Sequence, residues 1–111
     1  MMIFRLFLVA AWLGLMAYTV MVIQNHGPDL VTVFFGDIAM IAWPGQFNLD
    51  FTIMLALSAI WIAWRHQFSA AGLLLALTAQ FGGSAFLLLY LLVLSVQARG
   101  DVRAMLLGER R

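Results

Sequence analysis

Three long apolar runs, separated by short polar stretches, dominate the hydropathy pattern. They extend from about Ile3 to Ile23, from about Phe47 to Trp64 and from about Ala70 to Val96. A helix needs roughly 20 apolar residues, at about 1.5 Å each, to cross a hydrocarbon core. The pattern therefore predicts an all-α membrane protein of one domain, residues 1–111, with three transmembrane helices. The third run is longer than a straight crossing needs, so it must tilt, bend or protrude. Gly82-Gly83-Ser84 at its middle marks the expected bend. The turn after Arg65-His66-Gln67 is short, so runs two and three are expected to form an antiparallel hairpin.

Residues 24–46 follow no single period. Asn25-His26-Gly27-Pro28-Asp29 and Pro44-Gly45 are turn clusters, and between them two apolar runs flank Gly36-Asp37. β-branched and aromatic flanks around a two-residue turn predict a surface loop or short hairpin at the membrane face. A short interfacial helix is the alternative. A fourth span would be thin and would bury Asp37. After Arg99, residues 97–111 read as a tail with a short amphipathic helix: Gly100-Asp101 caps it, Val102, Met105 and Leu106 share a face, and Gly108 ends it.

Composition supports the membrane assignment and narrows the chemistry. Apolar residues make up 65% of the chain and charged ones 10%, far from the soluble average of about 45–50% and 25%. So small a globule has too little interior to hide that much apolar surface. A net charge of +1 offers no basic surface for nucleic acid. The chain has no cysteine and no lysine, which excludes disulfides, thiol catalysis and Schiff-base chemistry. The first run is too long for the core of a secretory signal and is expected to remain as a helix. Four arginines in the tail (Arg99, Arg103, Arg110, Arg111) against Arg5 and Arg65 favour the tail in the cytoplasm and the N-terminus, with the Arg65 turn, outside; the opposite topology is the alternative.

Small residues recur at helical spacing in each run: Ala10, Gly14 and Ala17; Thr52, Ala56, Ala59 and Ala63; Gly72, Ala76, Ala79 and Gly83. In lipid such stripes let helix backbones approach. They are expected to pack the bundle, and the Gly72 to Gly83 face, which carries Gln80, is the candidate for docking a second copy or a partner. Asp50 and Gln80 are the candidate polar site. A carboxylate inside an apolar run must find a proton or a cation, although Asp50, beside Asn48, is also placed to cap the second helix. Trp61, Trp64, Arg65, His66, Arg99 and Arg103 are expected at the lipid interface, where cations and indoles anchor helix ends. His26 and His66 fall on opposite membrane faces and cannot share a metal. No catalytic constellation and no cofactor or metal motif is present.

From Trp43-Pro44 through Asn48, Asp50, Phe51, Trp61 and Arg65 to Gly82-Gly83-Ser84 and Tyr90, the chain resembles a family of small three-helix membrane proteins of unknown function, found in bacteria and as part of longer plant proteins. The resemblance covers about half the chain and implies a three-helix fold, with no activity attached. The expected protein is integral and multi-pass, in the bacterial inner (cytoplasmic) membrane. Its expected role is that of a non-enzymatic subunit or assembly partner whose contacts are membrane lipids and other transmembrane helices, from a second copy or a larger complex. A small oligomeric proton-coupled transporter or carrier using Asp50 is the alternative.

Overall fold

The computed structural model describes residues 1–108, which form five helices and no strand: α1 (Met2–His26), α2 (Leu30–Ala39), α3 (Trp43–Arg65), α4 (Ala70–Gln97) and α5 (Val102–Leu107). α1, α3 and α4 are long and apolar enough to cross a membrane, as a multi-pass membrane protein requires. Local chemistry sets their ends. Pro44 sits in the first turn of α3, where its missing N–H has no partner to lose. The Ser69 hydroxyl accepts from the Gly72 N–H and starts α4. Asp101 accepts from the N–H groups of Arg103 and Ala104 and starts α5, which ends at Gly108 as expected.

α4 does not run straight. Gly83 has φ 59° and ψ −146°, outside any helical conformation. His66 reveals the path: it meets the backbone at Gly72, and its Nε2 lies 2.6 Å from the Tyr90 hydroxyl. In a straight helix Gly72 and Tyr90 would be about 27 Å apart, beyond the reach of one imidazole. Ser69 and Gln97, at the two ends of α4, also line one cleft. The chain therefore reverses at Gly83, and residues 70–82 and 84–97 form a helical hairpin whose arms each extend about 20 Å. Neither arm alone covers a hydrocarbon core of about 30 Å. The bend expected at Gly82-Gly83-Ser84 is thus a full reversal.

The reversal corrects the expected sidedness. A Cβ added at Gly100 would lie 3.4 Å from Met1 Cβ, so the N-terminus and the start of the tail share one end of the molecule instead of lying on opposite faces. Arg5, Arg65, Arg99 and Arg103 lie at that end. The opposite end holds His26, Asp29 and Asp37 and, among the described residues, no arginine. Arg110 and Arg111 lie outside the described residues.

The α4 hairpin stands between the other long helices. α3 packs along it through Ile62, Ala63, Ala76, Ala79, Tyr90 and Leu94, closed below by Met105 of α5. α1 meets the returning arm, where the Trp12 indole N–H donates to the Ala85 carbonyl at 3.0 Å and Arg5 reaches Ser95. Beyond that, α1 is exposed from Val20 to His26 and carries most of its large apolar side chains on the outside.

The segment expected as a hairpin of strands is helical. Asp29 accepts from the Thr32 N–H and opens α2, while Gly36-Asp37, expected as a strand turn, lies inside it. α2 folds back along the start of α3: Asn48 Nδ2 donates to the Phe34 carbonyl at 3.1 Å, and the Asp37 carbonyl lies directly over Gly45, too close for any side chain there. A helix satisfies its backbone internally, whereas a two-stranded ribbon leaves two unpaired edges in an apolar setting. That requirement outweighs the β-propensity of the segment.

Candidate functional site

The polar side chains concentrate at the arginine end, around the mouth of the α4 hairpin. α3 delivers Arg65 and His66 to this end, and the turn after them is tight, with Gln67 and Phe68 both at positive φ. The returning arm brings Tyr90, Leu94 and Ser95. Arg99 and Gly100, also at positive φ, then turn the chain into α5.

Arg65 fastens the tail. Its Nε donates to the Met105 carbonyl at 2.6 Å and its Nη2 to the Ala104 carbonyl at 3.3 Å. The Trp61 indole N–H donates to the Leu106 carbonyl at 2.9 Å. The Met105 and Leu106 carbonyls lie in the last turn of α5, where a helix end leaves acceptors open, so a cation and an indole supply donors there; the Ala104 carbonyl also accepts from the Gly108 N–H. Arg5 reaches the returning arm, with Nε to Ser95 Oγ at 3.0 Å and Nη2 to the Ser95 carbonyl at 2.8 Å, which also accepts from the Gly100 N–H.

His66 Nε2 faces both the Tyr90 hydroxyl and Arg65 Nη1, the latter at 3.4 Å. The guanidinium can only donate, whereas the His66 nitrogen and the Tyr90 hydroxyl can each donate or accept, so the three groups form one hydrogen-bonded cluster. Tyr90 is held from its other sides by the Phe86 ring, stacked at 5.6 Å, and the Trp61 ring, edge-on at 6.0 Å. Beside this cluster lies an open cleft of about 550 Å³ lined by Arg65, His66, Gln67, Ser69 and Gln97, with α5 along one wall. Its chemistry is that of neutral polar groups, both donors and acceptors, beside one cation. Among the described residues no three His, Asp or Glu side chains come together as metal ligands would.

The remaining candidates separate cleanly. Gly72, Ala76, Ala79 and Gly83 are buried within the bundle, and Thr52, Ala56, Ala59 and Ala63 face them from α3 as half-buried or buried positions. The Gly72 to Gly83 face, expected as a surface for a second copy or a partner, is therefore already covered by α3. Gln80 contacts the Thr52 carbonyl at the limit of hydrogen bonding, 3.5 Å. Ala10, Gly14 and Ala17 are exposed, and a side chain built at Gly14 would meet nothing within 4 Å. Asp50 does not cap α3, because the helix begins at Trp43 and places the carboxylate seven residues inside it, exposed on the outer surface. Arg99 and Arg103 are exposed at the arginine end, Trp64 is half-buried, and of the tail face Met105 is buried while Val102 and Leu106 are exposed.

Several contacts carry no signal in the sequence: Arg5 with Ser95, Trp12 with Ala85, His66 with Tyr90, and Arg65 with the carbonyls of α5. Each joins residues far apart in the chain, and each depends on the reversal at Gly83. Comparison with protein-family models, with curated proteins and with solved structures finds no match to this chain.

Proposed function

We propose that this chain is a small, non-enzymatic membrane subunit or assembly partner that docks against other transmembrane helices. The observation that carries the proposal is the outer part of α1. Between Leu13 and His26 this helix has Gly14 and Ala17 on an exposed face, and the side-chain hydrogen bonds from α1 to α4 lie nearer its start, at Arg5 and Trp12. Large apolar side chains suit lipid tails, whereas small ones gain only when another backbone comes close. Among the described residues no such backbone approaches Gly14.

In the proposed orientation the arginine end faces the cytoplasm, with both termini there, because cytoplasmic segments carry the excess of Arg and Lys. α1 and α3 then cross the bilayer, and the α4 hairpin enters from the cytoplasmic side and returns.

Extraction in mild detergent followed by native mass measurement tests the proposal. A complex containing a second membrane chain, weakened when Gly14→Leu blocks close approach, is the expected result. A lone monomer in native extracts, indifferent to Gly14→Leu, refutes it.

A further inference from the structure

The outer face of α3 offers a second docking surface, an inference that rests on the proposed role as a membrane subunit. Asp50 lies seven residues, about 10 Å, inside a helix that begins at Trp43. Successive residues turn by about 100°, so Asp50 points roughly 140–200° away from Gly45, Asn48 and Thr52, the positions that meet α2 and α4. Its neighbours on the outer face are Phe47, Ile53, Met54 and Leu57, exposed by 64, 56, 62 and 63%. One carboxylate thus stands in a stripe that, apart from the exposed Gln46 one turn before it, is suited to hydrocarbon.

Among the described residues nothing is placed to pair with it. The described arginines occupy the opposite end, and fifteen residues of helix put Arg65 about 22 Å away. None of the described residues donates a hydrogen bond to Asp50. A charged group inside a bilayer is retained where a partner neutralises it.

We propose that the Asp50 face of α3 docks a transmembrane helix of a different protein, one that presents a lysine or arginine at the depth of Asp50. A second copy of this chain does not meet the requirement. Packed face to face it would set the same acid against the first, and its described arginines would lie at the other end. The partner is therefore a helix with a basic residue in an apolar segment, joined to α3 by an ion pair framed by Phe47, Met54 and Leu57.

The test uses the full chain in its native membrane, with a photo-crosslinking amino acid at Met54 and, as a control, at Leu74 on an exposed part of α4. The Met54 probe is expected to give an adduct whose partner peptide, identified by mass spectrometry, is apolar with a Lys or Arg within a turn or two of the crosslink. Asp50→Asn should reduce that adduct at least tenfold and Asp50→Glu should restore most of it. Exchanging the charges, Asp50→Lys with the partner's base changed to Asp, should recover it. An adduct between two copies of this chain, an adduct indifferent to Asp50→Asn, a partner peptide without a basic residue, or equal crosslinking from Leu74 overturns the proposal. In any of these cases a complex still detected by native mass, and still sensitive to Gly14→Leu, leaves the subunit role standing. A bare monomer ends both.

Discussion

Gly83→Ala distinguishes the folded-back α4 from a straight one by the sign of its effect. At φ 59° and ψ −146° an alanine occupies a region nearly closed to residues with a Cβ, at a cost on the order of 1–3 kcal/mol. The new Cβ would also lie 3.2 Å from Phe51 Cζ, so that ring must shift by a few tenths of an ångström. In a regular helix the same change stabilises by roughly 1 kcal/mol, since glycine is the poorer helix former. The reversal therefore requires a destabilisation of about 2 kcal/mol, a factor of about 30 in the folding equilibrium. Gly14→Ala, in regular helix with open space around it, serves as the control and should be neutral or stabilising by up to about 1 kcal/mol. Reversible unfolding in mixed micelles, followed by tryptophan fluorescence, reads both variants, because Trp12 and Trp61 pack against the returning arm and its surroundings. Should Gly83→Ala prove as stable as the parent or more so, α4 is not folded back and the sidedness derived from it is wrong.

The absence of cysteine makes single-cysteine labelling direct. Ala70→Cys and Gln97→Cys should react with an impermeant maleimide from the same membrane face, and His26→Cys from the other; Ala70 and Gln97 reacting from opposite faces would mean that α4 crosses. Arg65→Ala removes the donors that hold the last carbonyls of α5. Hydrogen bonds from charged groups contribute about 1.5–3 kcal/mol, so trypsin should cut after Arg103 roughly 10- to 150-fold faster, and an unchanged rate would show that Arg65 does not hold the tail. Tyr90→Phe deletes the hydroxyl facing His66 while keeping the stacked ring. A loss of about 1 kcal/mol in the micelle unfolding assay is expected, and a neutral result would remove the His66 contact as a stabilising element.

Much of the fold is readable from the chain because lipid-facing helices advertise themselves by length and apolarity alone. The three long helices, the Asp101 cap, the Gly108 end and the break at Gly82-Gly83 are all legible from local chemistry. α2 is not, since β-branched residues and a Gly-Asp pair give a strand signal that only the surroundings overrule. The role of Asp50 depends on where α3 starts. A start at Phe47 makes the acid a cap, whereas Trp43-Pro44 as the first turn puts it a further turn inside and on the outer face. The contacts of the polar cleft are beyond reach because a glycine pair signals a bend without giving its angle.

That angle also decides what the charges mean. With three straight crossings, Arg5 and Arg65 fall opposite the tail, and the arginine rule weighs four residues against two, a weak preference. With α4 turned back at Gly83, Arg5, Arg65, Arg99 and Arg103 gather at one end and the described part of the other end has none. The same four side chains then act in two ways. Arg5 and Arg65 donate to backbone carbonyls near the ends of α4 and α5, which ties α1 to the hairpin and α3 to the tail. Arg99 and Arg103 remain exposed, where anionic lipid headgroups would attract them. A single left-handed glycine thus fixes which end of the described molecule is cationic and leaves Asp50 far from the described arginines, which is the ground for the proposal that its counter-charge comes from another chain.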